Sequence, residues 1–278
     1  MKPRALWYTQ YQTPDVKFTF RVKDVIHTEV SDYQTIEVLD TYEFGRMLVL
    51  DQCIMFTEKD EHIYHEMLVH PAMVCHPNPK RILVIGGGDG GALREILKYE
   101  VELVKLVEID AKVIEVSKKF FPALGNSFLD TRVITVVDDG ATYVKKAKES
   151  FDIIFVDSPD PVGHAEVLVK DDFIHSCAKL LSSNGIFVAQ TQALFYESTF
   201  ISEYIKRVKK FFHIVRPYFA SIPTYAEGPW AFTFASFGVD PLEIKRKAKP
   251  PLRYYNEEVH RASFVLSEDV RKLLPRVS

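Results

Sequence analysis

Residues Arg81–Gly91 read R-I-L-V-I-G-G-G-D-G-G. The apolar run Ile82–Ile85 predicts a buried parallel strand. Gly86–Gly91 predicts a tight turn, and Ala92–Tyr99 a helix. Strand, glycine turn and helix together make a nucleotide-binding corner, because glycine lets the chain turn sharply and lets a ligand approach the backbone. Gly86, Gly88 and Gly91 satisfy G-x-G-x-x-G. Such turns also serve plain packing, and it is the strand before and the helix after that favour a ligand. The next apolar run, Leu103–Val107, ends in Glu108-Ile109-Asp110. An acid about twenty positions after the first glycines takes ribose hydroxyls, or else caps the helix that follows. Asp89, inside the turn, would repel a dinucleotide's pyrophosphate. S-Adenosylmethionine brings both a carboxylate and an ammonium. A ligand with an ammonium and no carboxylate, such as decarboxylated S-adenosylmethionine, suits Asp89 best.

Downstream, strand candidates Val133–Val137, Ile153–Val156 and Ile186–Ala189 alternate with helix candidates Lys112–Phe121, Ala141–Ala147, Lys170–Leu181 and Glu197–Phe212. That alternation predicts a parallel, Rossmann-like doubly wound sheet with ligands at the carboxyl ends of its strands. Upstream, Val16–Ile26, Thr35–Leu39 and Met47–Phe56 read as strands, with a turn at Tyr42–Arg46. The expected division is a small N-terminal β domain at 1–60 and a catalytic domain at 61–278. A helix from about Lys59 to Cys75 joins them and ends at His76-Pro-Asn-Pro79. It carries His62, His65, Glu66 and His70, but HExxH would need a histidine where Val69 stands, so no metal site is expected.

Composition narrows the class. With 278 residues, 47% hydrophobic and 26% charged, the chain has an ordinary globular balance. A net charge of −3 gives no basic field for nucleic acid. Cys53, Cys75 and Cys177 form no framework, which suits a reducing compartment. MKPRALWYTQYQ lacks the apolar core of a signal peptide, and no run is long enough to span a bilayer. A cytoplasmic location is expected, with no membrane partner.

The expected carboxyl ends of the strands are acidic. They carry Asp89, then Glu108 and Asp110, then Asp138-Asp139-Gly140, then Asp157-Ser158-Pro159-Asp160-Pro161. Each acid alone could be a helix cap. Several at one edge cost stability unless a cation joins them, and an organic polycation is the economical choice.

GGGDGG, Tyr64–Met67 (YHEM), Val107–Asp110 (VEID), Asp138–Gly140 (DDG), Asp157–Pro161 (DSPDP) and Pro223–Tyr225 (PTY) occur in that order. With Tyr33-Gln34, Val49–Asp51 and Tyr254–Phe264, they closely resemble the spermidine synthase family of aminopropyltransferases over nearly the whole chain. The resemblance implies a small β domain, a Rossmann-like catalytic domain, and a homodimer or homotetramer. It implies transfer of an aminopropyl group from decarboxylated S-adenosylmethionine, a co-substrate and not a cofactor, with release of methylthioadenosine. By resemblance, Asp157 is the base, Asp89 holds the donor's ammonium, and Gln34, Gly86, Gly88, Glu108, Asp139 and Gly140 bind the rest of the donor. Tyr64, expected to be catalytic with Asp157, lines the acceptor path together with His65, Asp160 and Tyr225.

The chain departs from the family pattern at the acceptor end. Gln10 and Gln192 stand where glutamates are usual, and the loop usually written TYPSG reads Thr224-Tyr-Ala-Glu-Gly228, which adds Glu227. The expected acceptor is therefore a diamine or polyamine: putrescine, or a longer or differently charged amine such as cadaverine, agmatine or spermidine. Two alternatives share the sheet: a class I methyltransferase, and a non-catalytic nucleoside-binding homologue. Asp89 opposes the first, and the presence of Asp157 and Tyr64 opposes the second.

Overall fold

The computed structural model describes residues 5–225 and 227–274. The outer ends of the two expected domains, and Ala226 of the Thr224–Gly228 loop, lie outside the described residues. An antiparallel five-stranded meander comes first: β1 (Leu6–Thr13), β2 (Val16–Val30), β3 (Thr35–Thr41), β4 (Arg46–Leu50) and β5 (Cys53–Thr57). β1 gives almost no alternation signal because it is an edge strand in which no side chain is fully buried. β2 runs four residues past its expected end because it pairs with β1 early and with β3 late. The single strand expected at Met47–Phe56 is two. Asp51 and Gln52 adopt φ of 45° and 69° between them, a two-residue hairpin turn made without glycine or asparagine.

Helix α1 (Glu61–Cys75) leads to the large sheet. It is buried on nearly every side, so its sequence shows no clean stripe and its polar residues must find partners inside the protein. Then come β6 (Arg81–Gly86), α2 (Gly91–Ile96), β7 (Leu103–Glu108), α3 (Ala111–Phe120), α4 (Pro122–Gly125), β8 (Val133–Val137), α5 (Gly140–Lys146), β9 (Phe151–Asp157), α6 (Asp171–Leu180), β10 (Leu181–Ala193) and α7 (Leu194–Val208). β11 (Ile214–Ala220), β12 (Trp230–Ser236), α8 (Glu257–Ser263) and α9 (Glu268–Leu273) complete the described chain.

The strand order is β11-β12-β10-β9-β6-β7-β8. Ile82 and Val84 face one core with α1 and α2, while Leu83 and Ile85 face the other with α5, α6 and α7. Apolar packing on both faces is why β6 reads as an unbroken apolar run. The doubly wound architecture is as expected, but the sheet is mixed and not all parallel. β12 lies antiparallel to both β10 and β11. Neither of the last two strands shows alternation: β11 contains Pro217, and β12 is buried along its whole length. This hairpin matters for the site. β11 runs in the same sense as β10, so the loop after Ala220 returns to the acidic edge.

Candidate active site

A cavity of about 470 Å³ opens where the carboxyl ends of β6, β7 and β9 meet the inner face of the N-terminal sheet. Gln10, Gln34, Tyr64, His65, Gly86, Gly88, Asp89, Glu108, Asp139, Gly140, Asp157, Asp160, Tyr225 and Glu227 all line it. Gln192 does not. It has φ of 65° at the end of β10, and its side chain lies beside Asp160, whose pKa burial raises and this side chain lowers.

The glycine turn is shaped by the acids around it. Gly86 has φ of 80°, and a Cβ there would meet the Asp157 carbonyl oxygen at 2.2 Å. The Gly87 N–H donates to that carbonyl at 2.8 Å. At Gly88, a Cβ would press on the Glu108 carboxylate. Glu108 does not cap α3; Asp110 does, accepting the Lys112 N–H at 2.9 Å. Glu108 instead accepts the Asp110 N–H at 2.9 Å and the Gly88 N–H at 3.2 Å. Burial, partly offset by those bonds, pushes its pKa up to about 7. Asp139 caps α5 through the Thr142 N–H at 2.6 Å, so for Asp110 and Asp139 the cap reading is correct.

Asp157 ends β9. Its Oδ1 accepts the Tyr64 hydroxyl at 2.6 Å, while Oδ2 is buried with no hydrogen-bond partner. Burial and then the charge of Asp89 push its pKa up to about 6, against His65 and Tyr64, which lower it. Asp89 accepts the Gly91 N–H at 2.5 Å and pairs with His65 Nε2 at 3.3 Å. Both contacts fall on Oδ1, which leaves Oδ2 for a ligand.

His65, Asp89 and Asp157 offer atoms within 4.8 Å of one another, which raises a metal again. However, the His65 nitrogens face two carboxylates, Glu61 at 2.7 Å and Asp89 at 3.3 Å. Each of these can only accept, so both nitrogens carry protons and neither has a lone pair for a metal. Burial disfavours that charge, yet Asp89 and Glu61 hold the imidazolium up to about pH 10.

At the outer end, Tyr225 packs on Tyr64 and Trp230 and donates its hydroxyl to the Met55 carbonyl. Its loop is pinned by Asp60, whose Oδ2 accepts the Thr224 N–H at 2.9 Å and the Thr224 hydroxyl at 2.7 Å. Sequence reading did not single out Asp60, Glu61 or Arg94. Glu61 stands four residues before His65 on α1, a signal that could have been used. Asp60 and Arg94 join the site only through tertiary contacts. Gln10 gives its side-chain oxygen to the Ile54 N–H at 2.8 Å. Gln34 donates to Asp110 at 2.9 Å. Glu227 is half-buried. Burial, then Asp160 and Glu197, push its carboxyl up to about 7.

Comparison with known proteins bears on the chain as a whole. Residues 61–242 match the spermine/spermidine synthase domain, and residues 6–58 match the spermidine synthase tetramerisation domain. The polyamine aminopropyltransferase of Caldicellulosiruptor bescii is 44% identical over 277 residues, covering 99% of this chain and all of that protein. That of Bacillus subtilis is 44% identical over 272 residues, covering 97% and 99%. A crystal structure of spermidine synthase in complex with the transition state analogue AdoDATO superposes with a TM-score of 0.94 at 42% identity, covering 97% of this chain and 94% of that one. The spermidine synthase of Thermotoga maritima gives 0.91 at 41% identity, with the same coverage.

Proposed function

The chain belongs to the spermine/spermidine synthase family, and from that premise we propose how its own residues carry the reaction. The protein is a polyamine aminopropyltransferase. The donor, decarboxylated S-adenosylmethionine, already carries a sulfonium leaving group. The difficulty lies with the acceptor, because an alkylammonium has no lone pair. Asp157 takes that proton. The freed nitrogen attacks the aminopropyl carbon, a C–N bond forms as the C–S bond breaks, and methylthioadenosine leaves. The observation that carries this assignment is Asp157 Oδ2, buried without a partner beside a hydroxyl that fixes the other oxygen. A carboxylate so placed accepts a proton at near-neutral pH. Asp89 Oδ2 takes the aminopropyl ammonium, Glu108 the ribose hydroxyls, and Asp139-Gly140 the adenine. This seats the donor along the glycine turn with its reactive carbon toward Asp157, and alignment supplies much of the remaining rate.

The acceptor's second cationic end goes to Asp160 and Glu227. Neither Gln10, tied to Ile54, nor Gln192, outside the cavity wall, offers a charge there. Glu227 lies in that wall, where burial and then the charges of Asp160 and Glu197 raise its pKa, so a cation placed there would favour its ionised form. The acceptor is thus a diamine or longer amine whose selection rests on Glu227. Mass spectrometry of products from the donor with putrescine, cadaverine, agmatine and spermidine tests this, together with kcat/KM for each in Glu227→Gln. A putrescine preference that survives Glu227→Gln would remove Glu227 from the acceptor site. Residues 1–60 and 61–278 act as two domains, and the first carries a homodimer or homotetramer contact in the cytoplasm. Light scattering gives the assembly.

A further inference from the structure

A buried chain of charge leads away from the cavity. His65 Nδ1 meets Glu61 at 2.7 Å, and Glu61 is gripped by both terminal nitrogens of Arg94 at 2.7 and 2.9 Å. Arg94 Nε reaches Glu95 at 2.8 Å, and Glu95 also takes Lys98 and His70, the latter at 2.9 Å. Glu61 and Glu95 are buried. Gly91, at the start of α2, makes room for the arrangement, since a Cβ there would lie 2.2 Å from the His65 ring. None of these bonds beyond His65 touches the cavity, yet together they decide which charge His65 presents to it.

We propose that Glu61 and Arg94 are positioning residues for the transfer: they hold His65 as an imidazolium between Asp89 and Asp157, and so keep Asp157 ready to take the acceptor's proton. The inference rests on Asp157 acting as the base. The groups facing His65 are Glu61 on its own helix, Asp89 from the turn and Asp157 from β9, with Tyr64 and the Phe56 ring beside it. Asp157 is faced by His65, Asp89, Tyr64 and Tyr225. Against burial, His65 and then Arg94 hold the Glu61 carboxyl down to about 2, and the ionised Glu61 in turn favours the proton on Nδ1. Of the groups around Asp157, His65 is the cation. Neutralising it leaves only the Tyr64 hydrogen bond to oppose burial and the charge of Asp89, which favours the protonated, inactive acid.

The test is the pH profile of kcat/KM in Glu61→Gln, Arg94→Met and Arg94→Lys. The acid limb should move to higher pH by roughly one unit in the first two, while Arg94→Lys, which keeps the charge, should stay near the parent. NMR spectra of histidine-labelled protein read His65 directly and independently of turnover. Both ring nitrogens should be protonated at neutral pH in the parent, and only one in Glu61→Gln. In a His65→Gln background, adding Glu61→Gln should move the limb no further. An equal shift there, or an unmoved limb with His65 still doubly protonated in Glu61→Gln, would overturn the proposal. Failure of the base assignment looks different, because Asp157→Asn would then keep its turnover. Should Glu61→Gln not fold, Arg94→Met and the spectra decide alone.

Discussion

At the scale of single residues, the site consists of acids held half-tied. Asp157 and Asp89 each commit one oxygen to the protein, and the proposal gives the other to a cation. Asp157→Asn preserves shape and the bond from Tyr64 but removes the base. Donor binding should survive, while kcat should fall by roughly 10²–10⁴-fold, measured by calorimetry and product assay. The same substitution should stabilise the free protein. Asp157 has its folded pKa raised to about 6 from 3.8. A raised folded value means stability is present below the unfolded pKa and is lost as pH rises through the folded one. Above about pH 7 that loss is on the order of 3 kcal/mol. Thermal unfolding should show Asp157→Asn melting above the parent at pH 8, with the gap closing as pH falls from about 6 toward 4. Equal melting at all pH values would mean that the charge costs nothing in place.

At the scale of elements, two turns set the geometry. The β6–α2 turn must pass against the end of β9, and Gly86 and Gly91 are fixed by contacts they could not make with a side chain. Gly86→Ala forces a methyl onto a backbone oxygen at a left-handed φ. A loss of roughly 1–3 kcal/mol is expected in urea unfolding, with donor affinity falling alongside. The β11–β12 loop is held instead by one buried acid. Asp60→Ala frees Thr224, and Tyr225 with it. KM for the amine should rise several-fold while the donor's Kd changes little, because the glycine turn is untouched. If the donor's Kd rose by as much, Asp60 would be supporting the whole cavity and not this loop.

At the scale of the molecule, the cavity lies between two sheets that are bonded across it. Ser31 and Gln34 donate to Asp110 at 2.6 and 2.9 Å, and Asp110 is also the cap of α3. The N-terminal sheet is therefore tied down beside the Glu108 end of the cavity. Cationic ligands should stabilise this assembly by mass action, by roughly 2.7 kcal/mol at a hundred times Kd. The effect should depend on pH with a definite sign. Glu108 and Asp157 have folded pKa values raised to about 7 and 6, so the free protein loses stability as pH rises through that window. A bound cation relieves that loss, so the donor should raise Tm more at pH 8 than at about pH 5.5. A larger rise on the acid side would contradict the picture of unpaired carboxylates waiting for a cation.

The corner at Arg81–Gly91 and the acids after each parallel strand were legible in the sequence because they are local. A fully buried strand must be apolar along its length, a tight turn must be glycine, and the strand ends fall where each run stops. The ordered motifs carried the family in the same way. What remained hidden depends on neighbours distant in the chain. β12 shows no period because both of its faces are buried, so the mixed sheet could not be read beforehand, and the acceptor-end placement of Tyr225 and Glu227 came from the family resemblance and not from any local pattern. Gln192 looked equivalent to a pocket residue by position, and only the left-handed turn at the end of β10 sends its side chain to Asp160. The state of His65 is likewise not a property of the YHEM motif. It follows from carboxylates on both sides of the ring, one four residues away on its own helix and one from the glycine turn, held in place by an arginine on the next helix.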